Sequence, residues 1–198
     1  SSSGDVVVFR GTNPNLSTDW SLQGTWFIGQ PPAGRRIAGS FGGELLILSS
    51  YGVIPLTKLL SGALVQDEAT AITERISAII KEQLTLFSTD LGWEIQFVPN
   101  GNLLLVSVPM ADGVDDTQFV KNLNTKGWGM YRHLPYYTGA EWNRDFYFTD
   151  GDGTVYIHTG TVDALLLDGS MSDEIEFSLL TAFHDVDPVG AFKRVQYA

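Results

Sequence analysis

The sequence predicts an all-β, propeller-like fold of four-stranded antiparallel blades with one inserted helix. Three observations carry this. Short runs alternate apolar and polar residues; turn residues punctuate them every 8–12 positions or so; and only one stretch places its apolar residues at helical spacing. The clearest run spans 142–159. There Phe146 and Phe148 fall on one side of a strand, and Tyr147 and Thr149 on the other. Asp150-Gly151-Asp152-Gly153 reverses the chain, because glycine reaches positive φ without steric penalty and aspartate tolerates it. Val155 and Ile157 resume the alternation on the way back.

In chain order, 5–9 is a short apolar strand, followed by a polar loop containing Asn13-Pro14-Asn15 and a return strand at 20–28 carrying Leu22, Gly24, Trp26 and Ile28 on one face. A Pro/Gly-rich break precedes strands at 35–41 and 44–49, joined across Gly42-Gly43, a two-residue loop suited to a tight hairpin. A further strand at 53–56 contains Pro55, which suggests an edge or a strand end. Over 67–86, Ile72, Ile76, Ile79, Ile80 and Leu84 recur at helical spacing among charged residues, which predicts an amphipathic helix covering a sheet edge or contacting a neighbouring subunit. Strands resume at 93–98 and 102–108 around Pro99-Asn100-Gly101, then at 117–122 and 128–133 around Asn124-Thr125-Lys126-Gly127. Two more are expected at 174–183 and 192–197.

An internal repeat favours blades. Asn15-Leu16-Ser17-Thr18-Asp19-Trp20 recurs, one residue longer, as Asn122-Leu123-Asn124-Thr125-Lys126-Gly127-Trp128. A propeller needs at least about four blades to close. Residues 1–198 therefore read as one propeller-like domain, or a segment of a larger propeller, whose ring is incomplete. The start Ser-Ser-Ser-Gly, without initiator methionine or signal-peptide pattern, fits a segment of a longer polypeptide or one whose N-terminal part was removed.

Composition narrows the function. The 198 residues are 43% hydrophobic and only 18% charged, enough apolar side chain for a sizeable core. The net charge of −11 is opposite to that of a dedicated nucleic-acid binder. The absence of cysteine excludes disulfides, thiolate metal sites and cysteine nucleophiles. No apolar run approaches the ~18 residues of a membrane span.

Several phrases resemble a known group: Val-Val-Val-Phe-Arg-Gly-Thr-Asn-Pro from Val6, Phe-Gly-Gly-Glu-Leu-Leu-Ile-Leu-Ser-Ser-Tyr-Gly-Val-Ile-Pro-Leu from Phe41, Gly-Asn-Leu-Leu-Leu-Val-Ser-Val-Pro from Gly101, Asn-Thr-Lys-Gly-Trp from Asn124, and Phe-Thr-Asp-Gly-Asp-Gly-Thr-Val-Tyr from Phe148. Together they resemble propeller-like virion structural proteins of tailed bacteriophages, similar in role to the tail-nozzle or DNA-stabilisation proteins of short-tailed phages. The resemblance implies a non-enzymatic subunit of a tail, nozzle or head-to-tail connector, made in the host cytoplasm and resident in the virion. The implied partners are copies of itself in a ring, other tail or connector proteins, and DNA in transit. It brings no catalytic residues and no cofactor.

The residues expected to matter are accordingly structural: Asn15, Trp20, Gly42, Gly43, Asn124, Trp128, Phe146, Phe148, Gly151, Gly153 and Val155, as turns or core. Asp150 and Asp152 begin something like a calcium loop, but its glycine is misplaced and the closing glutamate is missing, so a hairpin turn is expected and metal is the weak alternative. His133, His158 and His184 lack zinc spacing. The enzymatic alternative is a carbohydrate-binding or carbohydrate-cleaving propeller that recognises a host receptor. Glycosidase chemistry needs two carboxyl groups about 5–10 Å apart, for which Glu44, Glu94, Glu141 and Asp145 are candidates with no favoured pair. Of the tryptophans, Trp20, Trp26, Trp93, Trp128 and Trp142, most are expected in the core rather than as a sugar-stacking platform. The basic pairs Arg35-Arg36 and Lys193-Arg194 are too few for a nucleic-acid groove and suit an acidic neighbour across a subunit boundary.

Overall fold

The computed structural model describes residues 3–34, 36–109, 117–159, 162–165 and 171–174, the last two ranges as backbone only. Strands dominate: β1 (Asp5–Arg10), β2 (Ser21–Phe27), β3 (Ala38–Phe41), β4 (Glu44–Ser49), β5 (Gly52–Pro55), β6 (Glu94–Val98), β7 (Leu103–Ser107), β8 (Thr117–Asn122), β9 (Trp128–Arg132), β10 (Thr138–Trp142), β11 (Asp145–Thr149), β12 (Val155–Ile157), β13 (Val162–Leu165) and β14 (Met171–Glu174). They form five small antiparallel sheets, β1-β2, β3-β4-β5, β6-β7-β8-β9, β10-β11-β12 and β13-β14. The all-β expectation holds. Of these sheets, β6-β7-β8-β9 alone has four strands, and among the described residues the sheets do not close into a barrel or ring. The chain divides into two compact units, Ser1–Thr159 and Gly160–Ala198. In the second, β13 and β14 form a hairpin with Val162 opposite Glu174 and Leu165 opposite Met171. The strand expected at 192–197 lies outside the described residues, as does the one at 174–183 apart from Glu174.

Within the first unit, sheets stack in chain order. Val6 of β1 and Trp26 of β2 pack with Ile47, Ile54 and Leu59. On the opposite face of the same sheet, Leu46, Leu48 and Val53 meet Ile95, Leu104 and Val106. Beyond these, Val98, Leu105 and Val120 meet Phe146 and Phe148. This explains why β4 (Glu-Leu-Leu-Ile-Leu-Ser) and β7 (Leu-Leu-Leu-Val-Ser) read as continuous apolar runs: successive side chains point to opposite faces, and both faces are covered. The β1-β2 and β10-β11-β12 sheets end the stack and alternate instead.

The expected hairpins form. Gly42 and Gly43, at φ 55° and 83°, link β3 to β4, both in the left-handed region that a two-residue type I′ turn requires. The repeated motif marks equivalent places, the β1–β2 loop and the β8–β9 loop. In the first, Asn15 N donates to Asn13 Oδ1; in the second, Asn124 N and Thr125 N donate to Asn122 Oδ1.

The 67–86 helix is shorter than its spacing suggests. Two single 3-10 turns, Glu68–Thr70 and Glu74–Ile76, precede the helix proper, Ser77–Leu86, which follows a short helix α1 (Leu56–Leu60) and is α2. Between the turns, Ile72 N donates to Val53 O at 2.9 Å, and the Thr73 side chain accepts through Oγ1 from Val53 N at 3.2 Å. Those bonds cover the outer edge of β5, and the Ile72 N–H so engaged cannot also make a helical bond. Ile80 and Leu84 of α2 then join the core, while Ile79 is exposed.

Candidate functional site

The most developed polar cluster sits where three sheets meet. Strands β3 and β10 flank β6, each of the three being the first strand of its sheet. Arg36, just before β3, bridges in parallel to Glu94 of β6, and Ile95 N donates to Arg36 O at 2.9 Å. From there the Arg36 guanidinium donates through Nη1 to Glu94 Oε1 at 2.9 Å and to the Gly139 carbonyl of β10 at 2.7 Å. Thr138 Oγ1 donates to Glu94 Oε2 at 3.1 Å. One ion pair thus links all three sheets.

Glu94 is almost fully buried, whereas half of the Arg36 side chain reaches solvent. The pairing raises the Arg36 pKa, first through the hydrogen bond to Glu94 and then through its charge. Tyr136 lies beside them with its ring stacked near Phe146 and Phe148. Burial pushes its hydroxyl well above the usual tyrosine value, and the Glu94 charge adds to this. The tyrosine therefore stays protonated and Arg36 stays charged at every physiological pH. Above the cluster opens a shallow groove of about 390 Å³ bordered by Arg36, Ser40, Gln96 and Glu141.

The other ionisable groups named from the sequence are held apart. Glu44 accepts from Leu45 N and Thr57 N at 3.1 Å each and from the Thr57 hydroxyl, tying the β3–β4 turn to α1. Glu141 is exposed on the groove rim, and Asp145 closes the β10–β11 turn opposite Trp142. Arg36 finds its acidic neighbour inside its own chain, in Glu94, rather than across a subunit boundary; Arg35 and the pair Lys193-Arg194 lie outside the described residues.

Asp150 serves the turn. Its Oδ1 accepts from Asp152 N at 3.0 Å and Thr154 N at 2.8 Å, and its Oδ2 accepts from the Tyr156 hydroxyl at 3.0 Å. Burial works to raise its pKa, but those bonds outweigh it and the net shift is downward. With its lone pairs so engaged, and Gly153 at φ 89°, the segment is a hairpin turn in geometry. Among the described residues no three His, Asp or Glu side chains gather as a metal site would need. The His158 ring lies tilted beside Tyr131 and edge-on to Phe146, and burial lowers its pKa. His133 stands just past β9 at φ 61°, and His184 lies outside the described residues.

Phe146 and Phe148 are buried as expected, whereas Val155 is 64% exposed and does not belong to the core. Its partner across the ladder is Thr149, on the side of β11 away from Phe146 and Phe148, so alternation places it outward. The tryptophans divide more evenly than expected. Trp93 is buried and donates Nε1–H to Phe87 O at 2.8 Å; Trp20 stacks on Phe9 at the surface; Trp26 and Trp128 are half-buried, the latter beneath Lys121; and Trp142 is exposed beside Tyr147. Among the described residues, no helix is long and apolar enough to cross a membrane. Comparisons with protein-family models, curated proteins and solved structures find no significant match for this chain.

Proposed function

We propose that this chain is a non-enzymatic structural component of a phage particle, a tail, nozzle or head-to-tail connector subunit built as part of a propeller. One observation carries the reading: antiparallel sheets stack in chain order with their first strands β3, β6 and β10 side by side, as blades do around an axis. In such a part the Arg36–Glu94 pair ties neighbouring blades at the axial edge, and the exposed loops contact other copies or other tail proteins. Around a DNA channel, a chain of net charge −11 repels passing phosphates and limits sticking.

The test is localisation. Antibody raised against the chain should label one end of purified particles by electron microscopy. Its presence only in the soluble fraction of infected cells would refute the reading. A second reading, carbohydrate recognition, has its own support in the exposed Trp142–Tyr147 pair, rings 6.1 Å apart. A glycan array probed with the wild type and Trp142→Ala separates the two, since an architectural part binds no glycan.

A further inference from the structure

Strands β3, β6 and β10 turn their outer edges to the groove above the Arg36–Glu94 pair. In an antiparallel ladder, alternate residues bond across to the partner strand and those between them face away. Just before β3, Ile37 O accepts from Leu48 N, so Ile37 bonds inward to β4 while Ala38 and Ser40 face outward. On β6, Ile95 N donates out of its sheet to Arg36 O, so Ile95 and Phe97 face outward. On β10, Asn143 and Arg144, at φ 52° and 72°, make a two-residue turn that closes on a bonded Trp142–Asp145 pair, which leaves Gly139 and Glu141 outward. The Gly139 carbonyl accepts from Arg36 in agreement with this. Parallel pairing begins at Arg36–Glu94 but stays an isolated bridge, and among the described residues no ladder continues it along the three edges.

The lining of the groove selects its occupant. Ala38, Gly39, Gly139 and Ala140 carry little or no side chain, so a ligand meets mainly backbone. Arg36 brings no net charge, because Glu94 neutralises it, whereas Glu141 on the rim is exposed and has no ion pair among the described residues. A phosphate or an acidic ligand is therefore disfavoured. Among the described residues the one aromatic ring on the lining is that of Phe97, which already lies against Phe41 with centroids 5.1 Å apart and offers no free platform for a sugar. We propose that the groove is a peptide-binding site, taking a short extended segment of a partner protein with a Lys or Arg directed at Glu141. The outward main-chain groups of Ser40, Phe97 and Glu141 supply the hydrogen bonds, as in strand addition to a sheet edge, and Glu141 supplies the preference for a basic side chain. This goes beyond the phage reading and does not depend on it.

The groove is about 390 Å³, near the lower end of ligand clefts at about 300–1,000 Å³, and so suits a few residues rather than a long segment. Its floor is fixed in advance. The bonds from Arg36 to Glu94 and Gly139, and from Thr138 to Glu94, hold the three edges at set spacing, so little ordering is needed when a peptide enters.

The experiment screens the whole chain on an array of acetylated, amidated pentapeptides in which a central lysine, glutamate or alanine is flanked by varied β-forming residues. Lysine peptides should be retained over their glutamate counterparts. In solution the best of them should shift the backbone amide signals of Ser40, Phe97 and Glu141 in nuclear magnetic resonance spectra. Methylating that peptide's backbone nitrogens should weaken binding at least about ten-fold, the worth of roughly one hydrogen bond. Ser40→Pro removes an outward N–H from an edge strand and spares the β3–β4 bonds, so it should weaken binding by a similar factor with the thermal midpoint unchanged. Should that variant misfold, Ala140→Trp, at an exposed lining position, obstructs the groove instead. Glu141→Gln should abolish the preference for lysine and leave main-chain binding in place. An array that retains no peptide, as when another part of this chain fills the groove, overturns the proposal. So does a preference for the glutamate peptides, or binding that Ser40→Pro and Ala140→Trp both leave intact.

Discussion

Replacing Arg36 with methionine removes the guanidinium but keeps most of the stem, and so tests whether the three sheets are tied at β6. The substitution deletes two hydrogen bonds, to Glu94 Oε1 and to the Gly139 carbonyl, and leaves the buried Glu94 carboxylate bonded to Thr138. Removing one partner of a fully buried ion pair costs about 3–5 kcal/mol, because the other charge stays desolvated. Here the Arg36 side chain is 53% exposed, so water can reach the vacated side and screens part of that penalty. We expect a loss of about 2 kcal/mol. For a unit of this size that corresponds to a fall of roughly 4–8 °C in Tm. Urea unfolding followed by tryptophan fluorescence measures it directly. Glu94→Gln supplies the second arm of a double-mutant cycle, in which the pair should show a coupling of about 1–2 kcal/mol. A loss below ~0.5 kcal/mol for Arg36→Met, or strict additivity with Glu94→Gln, would show that apolar stacking alone holds the sheets and that the ion pair is incidental.

Three further outcomes follow from individual contacts. Gly139→Ala should cost about 1–3 kcal/mol in urea unfolding, because a Cβ there would sit 2.4 Å from Phe146 Cζ and 2.9 Å from the Tyr136 hydroxyl oxygen. Gly129→Ala, also in a strand but with open space at its Cβ, should be neutral or stabilise by up to about 1 kcal/mol, and equal losses at the two sites would contradict the packing. Thr73→Val should cost about 1–3 kcal/mol, since it strips the acceptor from the buried Val53 N–H; hydrogen exchange at Val53 should accelerate with it. His158 titrates in the folded chain below its unfolded value of about 6.5, so below that pH the unfolded chain binds more protons. Its contribution to stability is complete above the unfolded pKa and is lost as pH falls through 6.5 towards the folded value. His158→Phe should remove that part of the acid dependence, and parallel stability–pH curves for the two proteins would refute it.

The hairpins were legible because their turns state their own geometry. Gly42-Gly43 and the Asp150–Gly153 turn need positive φ or a side-chain acceptor, and the sequence supplies both locally. The β10–β11 turn was not, because Asn143 and Arg144 both sit at positive φ and nothing about arginine announces it. Strand β10 itself was hidden by its poor strand-forming sequence, Thr-Gly-Ala-Glu-Trp; its glycine is there because Phe146 and Tyr136 occupy the space a side chain would fill. The truncated helix had no local signature either, since the Ile72 N–H that a longer helix would use donates instead to Val53, far back in the chain. The same holds for the Arg36–Glu94 pair. Both residues drew attention singly, yet only the meeting of β3, β6 and β10 brings them together.

The excursion between β5 and β6 has a practical corollary. The chain leaves the second sheet at Pro55, runs through two helices and two 3-10 turns, and returns at Glu94 with the neighbouring sheets still in contact. Most of that excursion is fastened to the layers, through Leu59, Ile80 and Leu84 in the core and Ile72 and Thr73 on Val53, so it is only at its exposed turns that the length is free to vary. Gly62, at φ 85° with open space about it, lies on that detour and offers a place to graft a foreign peptide or fluorescent reporter without disturbing the layers on either side.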